Sequence, residues 1–299
     1  MNYTEFVERI VSMVGEDMGD GFTVSVQQVI KRNNTAKDAL IIRKRSRGES
    51  IAPVIFLEPY FEVYSQGQSM EDCVMRIENS YWKNAADEKM AGEVKNTASD
   101  WEKVKRHVYP FLISREANRE LLKDLVYKEF LDLALCYMVR FDGTDGSSNF
   151  NISRTLFHSW GVSREELHFY ALANMNKDGY RVTGMEELIA ELTPGMAEQE
   201  LPVKQEIMYV ATNKNRMYGA AGMLLDAHFL TCRFGMRNFY IVPSSIHEVI
   251  LVPDGDKLTA EELSNMVREV NQEQVDPEER LSDHVYYYDW DKGEIQIVI

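Results

Sequence analysis

Phe239-Tyr240-Ile241-Val242-Pro243-Ser244-Ser245-Ile246-His247-Glu248-Val249-Ile250-Leu251-Val252 reads as two strands joined by a short turn. Residues 239–242 and 248–252 are dominated by aromatic and β-branched side chains, and Pro243-Ser244-Ser245 supplies turn chemistry between them. Upstream, residues 206–212 predict another strand, and residues 217–234 an Ala/Gly-rich helix that packs closely on a sheet. Downstream, Thr259-Ala260-Glu261-Glu262 is a capping box. It opens a helix whose core face is Leu263, Met266, Val267 and Val270. Residues 285–290 and 294–299 close as a hairpin over Asp291-Lys292-Gly293. The order β-α-β-β-α-β-β predicts an α+β protein with a C-terminal ferredoxin-like βαββαβ core and an extra strand.

Toward the N-terminus the pattern changes. Phe6, Val7, Ile10, Val11 and Val14 recur at helical spacing, in a helix that Gly15 is expected to stop. Residues 23–30 and 38–45 predict a hairpin turning at Asn33-Asn34. After Pro53, residues 54–65 predict an aromatic helix with the stripe Phe56, Tyr60, Phe61 and Tyr64. Ser69 caps a further helix expected to reach about residue 95, with a weak point near Gly92. In the middle of the chain, residues 107–114 and 131–141 predict strands, and 142–149 a turn. Ser163 caps a helix lined by Leu167, Tyr170, Ala171 and Asn174. Residues 176–205 read as an acidic connection with one short helix after Thr183. The chain thus divides into an N-terminal α+β segment (1–100), a middle strand–helix segment (101–205) and a C-terminal α+β core (206–299).

Charge narrows the function classes. The 299 residues hold 33 Lys and Arg against 48 Asp and Glu, a net charge of −15. That balance argues against general nucleic-acid binding and suits docking on a basic protein partner. Cys73, Cys136 and Cys232 are sparse and unpaired in pattern, which fits a reducing compartment. The acidic N-terminal residues lack a signal-peptide pattern, and no apolar run approaches the ~20 residues of a membrane span. The expectation is a cytoplasmic protein away from membranes. The run Tyr286-Tyr287-Tyr288 on a terminal hairpin is expected to be exposed, which would suit self-association.

The turn itself is the main chemical candidate. Ser245, His247 and Glu248 could form a nucleophile–base–orienter set, with Ser244 as a binding residue, and so define a hydrolase as the alternative function. Extended neighbours point to opposite faces, however, so a structural turn is the favoured reading. Arg43, Lys44, Arg45 and Arg47 form the one dense basic cluster. Arg43 and Arg45 are candidate anion contacts, weighed against a solvated strand edge. His228 and Cys232 have i, i+4 spacing but no further ligands, and His158 and His168 lack an obvious carboxylate partner. No phosphate loop, nucleophile elbow or dinucleotide fingerprint occurs, so no cofactor and no metal are expected.

Three stretches carry a family resemblance: Ile51-Ala52-Pro53-Val54-Ile55-Phe56-Leu57-Glu58-Pro59-Tyr60-Phe61, residues 213–222, and Val242-Pro243-Ser244-Ser245-Ile246-His247-Glu248-Val249-Ile250-Leu251-Val252-Pro253. With the closing Leu281-Ser282-Asp283-His284-Val285-Tyr286, the chain resembles an uncharacterised bacterial domain-of-unknown-function family, found in gut anaerobes and often near mobile elements. The strand–helix–helix middle is also similar to another uncharacterised family from Bacillus-type bacteria. The resemblance implies a bacterial, cytoplasmic protein in a mobile-element or anti-defence setting. It transfers no catalytic residues. The leading expectation is a non-catalytic acidic binding or regulatory protein.

Overall fold

The computed structural model describes residues 1–45, 53–85, 94, 96–143, 146–192, 208–226, 238–243, 245–255 and 258–299. The chain divides into two compact units, Met1–Lys31 with Thr35–Ala98, and Arg32–Asn34 with Ser99–Ile299.

In the first unit, α1 (Tyr3–Met18) opens on a reciprocal cap in which Asn2 and Glu5 each accept the other's backbone N–H. The helix runs through Gly15 and ends at Gly19, whose φ of 72° suits glycine. A glycine inside a helix costs only about 1 kcal/mol, so burial of Phe6, Ile10 and Val14 carries α1 past the expected stop. β1 (Phe22–Ile30) and β2 (Ala36–Lys44) pair antiparallel, with Asn33 and Asn34 at positive φ in the chain between them. Residues 54–56 are not helical. They form β3 (Val54–Phe56), which pairs with Ala39–Ile41 and makes β2 the central strand. The β-branched Val54 and Ile55 gain more from that partner than from a helix, which starts only at α2 (Glu58–Ser65) with Pro59 in its first turn. α3 (Met70–Ala85) opens where the Asp72 amide donates to the Ser69 hydroxyl. Residues 86–93, with the expected weak point at Gly92, lie outside the described residues.

The second unit begins with α4 (Trp101–Val104) and two layers of sheet. β4 (Val108–Ser114), β5 (Tyr127–Phe130), β6 (Leu133–Gly143) and β7 (Gly146–Asn151) form a four-stranded sheet. β6 is long enough to pair with β4 along one edge, and with β5 and then β7 along the other. α5 (Arg154–Trp160) and α6 (Arg164–Asp178) follow, each capped by a serine hydroxyl, of Ser153 and Ser163. The short helix expected after Thr183 is α7 (Met185–Leu192), but the residues before it, expected as irregular connection, form β8 (Tyr180–Gly184). β8 is a strand because β9 (Tyr209–Asn213) pairs with it, a partner that local composition does not reveal. Residues 193–207 lie outside the described residues.

α8 (Ala220–Leu225), β10 (Phe239–Val242), β11 (Glu248–Pro253), α9 (Ala260–Glu273), β12 (Tyr286–Asp289) and β13 (Glu294–Ile297) complete the unit. Residues 227–237, including His228 and Cys232, lie outside the described residues. The second sheet has the order β13-β12-β10-β11-β9-β8 with antiparallel pairing throughout. Tyr286 and Tyr288 of β12 are buried in the core, not exposed as expected, because alternate residues of the strand face inward. The connection through α8 straddles β11 and the one through α9 straddles β10, so both are split βαβ crossovers. The protein is therefore α+β. Its strand order departs from the ferredoxin-like one, since β12 lies beside β10 and not beside β9. The reason is the β10–β11 hairpin, buried on both faces at the sheet centre. Phe239, Ile241, Val249 and Leu251 enter one core, while Val242 and Val252 face Leu263 and Val267 of α9. No helix among the described residues is long and apolar enough to cross a membrane.

Candidate functional site

The turn between β10 and β11 is clasped by backbone contacts. Ser245 is buried, and its hydroxyl accepts the His247 amide at 3.0 Å. The Ser245 amide in turn donates to the Glu248 carbonyl at 3.2 Å. On the imidazole, Nδ1 accepts the Tyr218 amide at 3.1 Å, so the ring proton of neutral His247 sits on Nε2. That nitrogen faces Glu279 Oε1 at 3.4 Å. Both ring nitrogens are thus engaged away from Ser245. Glu248 opens β11 opposite Thr212. The Thr212 hydroxyl donates to the His247 carbonyl at 2.7 Å, which fixes the turn against β9. Tyr218 and Arg216 are at positive φ in the facing loop, and Arg32 of the same unit donates to the Tyr218 hydroxyl at 2.9 Å. Ser244 lies outside the described residues.

The basic candidates lie in the first unit. Arg43 sits opposite Thr23, whose hydroxyl approaches the Arg43 carbonyl at 3.4 Å. Arg45 Nε donates to the Phe22 carbonyl at 3.0 Å, so part of its guanidinium holds the hairpin end. Arg47 lies outside the described residues.

A cavity of about 530 Å³ opens elsewhere in the second unit, among β5, β6 and the first turns of α5 and α6. Buried Leu125, Val126 and Tyr137 contribute an apolar floor. Lys128, Arg154 and Arg164 stand at its exposed rim. Ser163 starts α6 such that Arg164 and His168, four residues apart, share one helix face. His168 Nδ1 lies 3.1 Å from the Tyr137 hydroxyl. Burial pushes that hydroxyl up to about 12, so it stays protonated and donates to Nδ1. Burial, and then the Lys128 charge, hold His168 below the usual imidazole value. A neutral ring then presents Nε2–H as a donor. Composition alone concealed this site, because its residues come from separate elements.

A family model described as "Family of unknown function (DUF5688)" matches residues 3–290. The chain belongs to DUF5688. No curated protein and no solved structure matches it. The DUF5688 chain holds no group of three or more His, Cys, Asp or Glu placed to bind a metal among the described residues.

A second Ser-x-His segment in the DUF5688 chain repeats the local geometry of the first. Ser282 Oγ accepts the His284 amide at 3.0 Å, as Ser245 does from His247. Here the hydroxyl also donates to Asp132 Oδ2 at 2.7 Å, and the same carboxylate accepts His284 Nδ1 at 3.0 Å and the Tyr286 hydroxyl at 2.8 Å. Serine and histidine thus meet one carboxylate side by side. Ser282 Oγ and His284 Nδ1 also lie 3.3 Å apart. Burial raises Asp132, but the donors Ser282, Tyr286 and His284 outweigh it and hold the carboxyl below its ordinary value. A depressed folded value means stability that is present above about pH 4 and lost as pH falls through the folded value. Asp132→Asn is expected to flatten the loss of melting temperature below about pH 4. Asp132→Ala is expected to cost about 1–3 kcal/mol at pH 7, by stranding the buried Tyr286 and Ser282 hydroxyls. Thermal melts between pH 3 and 8 check both. An unchanged acid limb in Asp132→Asn would contradict the assignment.

Proposed function

We propose that this DUF5688 chain is a non-catalytic binding or regulatory protein that docks on a basic protein partner. The observation that carries this reading is the outer face of α9. Glu261 and Glu262 stand in its first turn, where carboxylates complement the helix dipole, and Glu262 closes the capping box with Thr259. Glu269, Glu273 and Asp276 stand exposed at the opposite end, where the dipole is negative and the last turn holds no basic residue. They have no ion pair among the described residues, and Arg268 is the only cation of the helix. Such placement costs folding energy, so the reading assigns it to recognition of positive charge. The contacts of Ser245 and His247 support a structural turn and not the hydrolase alternative, since hydroxyl and imidazole bond to backbone amides.

The triple variant Glu269→Gln, Glu273→Gln, Asp276→Asn separates the two roles. Its melting temperature is expected to stay level or rise at low salt, because each removed charge relieves about 0.3–1 kcal/mol. Its partner is expected to be lost. Affinity capture from the native lysate with mass spectrometry, at low and high salt, reads the outcome. A basic protein held by the wild type, released by salt and absent with the variant supports the reading. Equal capture by both chains overturns it.

A further inference from the structure

We propose that the cavity among β5, β6, α5 and α6 binds a small organic anion, a carboxylate or phosphate head on a compact apolar body. The inference is independent of the docking reading, since it uses other residues and the opposite charge. At about 530 Å³ the cavity falls within the size range of small-molecule sites. Its sign is unusual for the chain. In a protein of net charge −15, Lys128, Arg154 and Arg164 converge on one opening.

The two carboxylates beside them are already engaged. Glu129 pairs with Arg115 at 2.6 Å, and the Glu165 carboxyl is held below its usual range by its own helix amide and the Ser163 hydroxyl. Arg154 is anchored to the wall through Nε to the Leu125 carbonyl at 3.2 Å. The Lys128 ammonium and Arg164 guanidinium make no hydrogen bond or ion pair among the described residues. His168 adds an Nε2–H donor, since Tyr137 occupies Nδ1. These donors match an anionic head, with Arg able to grip it by two parallel bonds. Leu125, Val126 and the Tyr137 ring offer the floor an apolar surface that a bare inorganic ion would leave unfilled. A nucleic acid would bring many phosphates against the chain's overall negative field, so one charged head is the better match.

Calorimetric titration of the full chain with phenyl phosphate, benzoate, inorganic phosphate and neutral benzamide tests the proposal. Phenyl phosphate or benzoate is expected to saturate one site, and the stronger of the two identifies the head group. Inorganic phosphate and benzamide are expected to bind at least about tenfold more weakly, each lacking half of the recognition. Lys128→Gln with Arg164→Gln is expected to weaken binding by about tenfold or more at an unchanged melting temperature, both residues being exposed. Lys128 and Glu129 of β5, Tyr137 of β6, Arg154 of α5, and Arg164 and Glu165 of α6 line the cavity with His168, and a bound anion would add its negative charge beside the ring. The His168 NMR titration is therefore expected to move to higher pH. No saturable binding of either aromatic anion, equal binding of benzamide, or binding indifferent to the double variant would each overturn the proposal.

Discussion

Asp178→Ala is expected to destabilise the second unit by about 3–5 kcal/mol, because it removes the carboxylate that a buried guanidinium meets. Arg140 projects from β6 with its side chain 4% exposed, and meets Asp178 at 2.5 Å. Its guanidinium carbon lies 3.7 Å from the centre of the Tyr109 ring, which closes the other side. Asp178 is the last residue of α6, where the helix dipole disfavours a carboxylate. Its place there is explained by Arg140, and the pair ties the end of α6 to the sheet. The paired change Arg140→Met with Asp178→Leu is expected to be within about 1 kcal/mol of wild type, since both charges of the pair leave together. Urea unfolding of the three chains measures both effects. A loss below about 1 kcal/mol in the single variant, or an equal loss in single and paired variants, would contradict this account.

What could be read from the residues depended on how local the determining contacts were. The β10–β11 hairpin, the capped α9 and the β12–β13 hairpin follow from neighbouring residues, and they stand close to where the sequence places them. β3 and β8 did not. Val54-Ile55-Phe56 precedes an aromatic run at helical spacing, and only pairing with Ala39–Ile41 makes it a strand. Tyr180–Gly184 sits among acids and a glycine, and its strand character comes from Val210 and its neighbours in β9. The exchange that sets β12 beside β10 was equally hidden, since element order does not state which strand takes the centre.

The chemistry followed the same division. Ser245 and His247 attract notice because they are two residues apart, yet that spacing is what lets the serine hydroxyl cap the histidine amide. The cavity residues are ordinary in their own segments. The readable signal was the serine cap at 163, which sets Arg164 and His168 on one face. What they face, Lys128 and Tyr137, comes from strands some thirty residues earlier.

Gly219→Ala is expected to lower stability by about 3 kcal/mol or prevent folding, although its φ of −70° suits any residue. Space is the constraint. An added Cβ would stand 2.3 Å from Thr212 Oγ1, 2.5 Å from the Asn213 nitrogen and 2.6 Å from the His247 carbonyl oxygen. None of these can retreat cheaply. The Thr212 hydroxyl is bonded to that same carbonyl, and Asn213 clasps Met217 through both its side-chain oxygen and its nitrogen. The loop between them already holds Arg216 and Tyr218 at positive φ, so it has little freedom left to absorb a shift. Gly15→Ala makes the contrast: nothing lies within 4 Å of its added Cβ, and in the interior of α1 it is expected to gain about 0.5–1 kcal/mol. Thermal melts should place Gly219→Ala about 6–12 °C below wild type, if it folds at all. A melt within about 2 °C of wild type would mean that the two loops are not interlocked, and the structural reading of Ser245 and His247 would lose its main support.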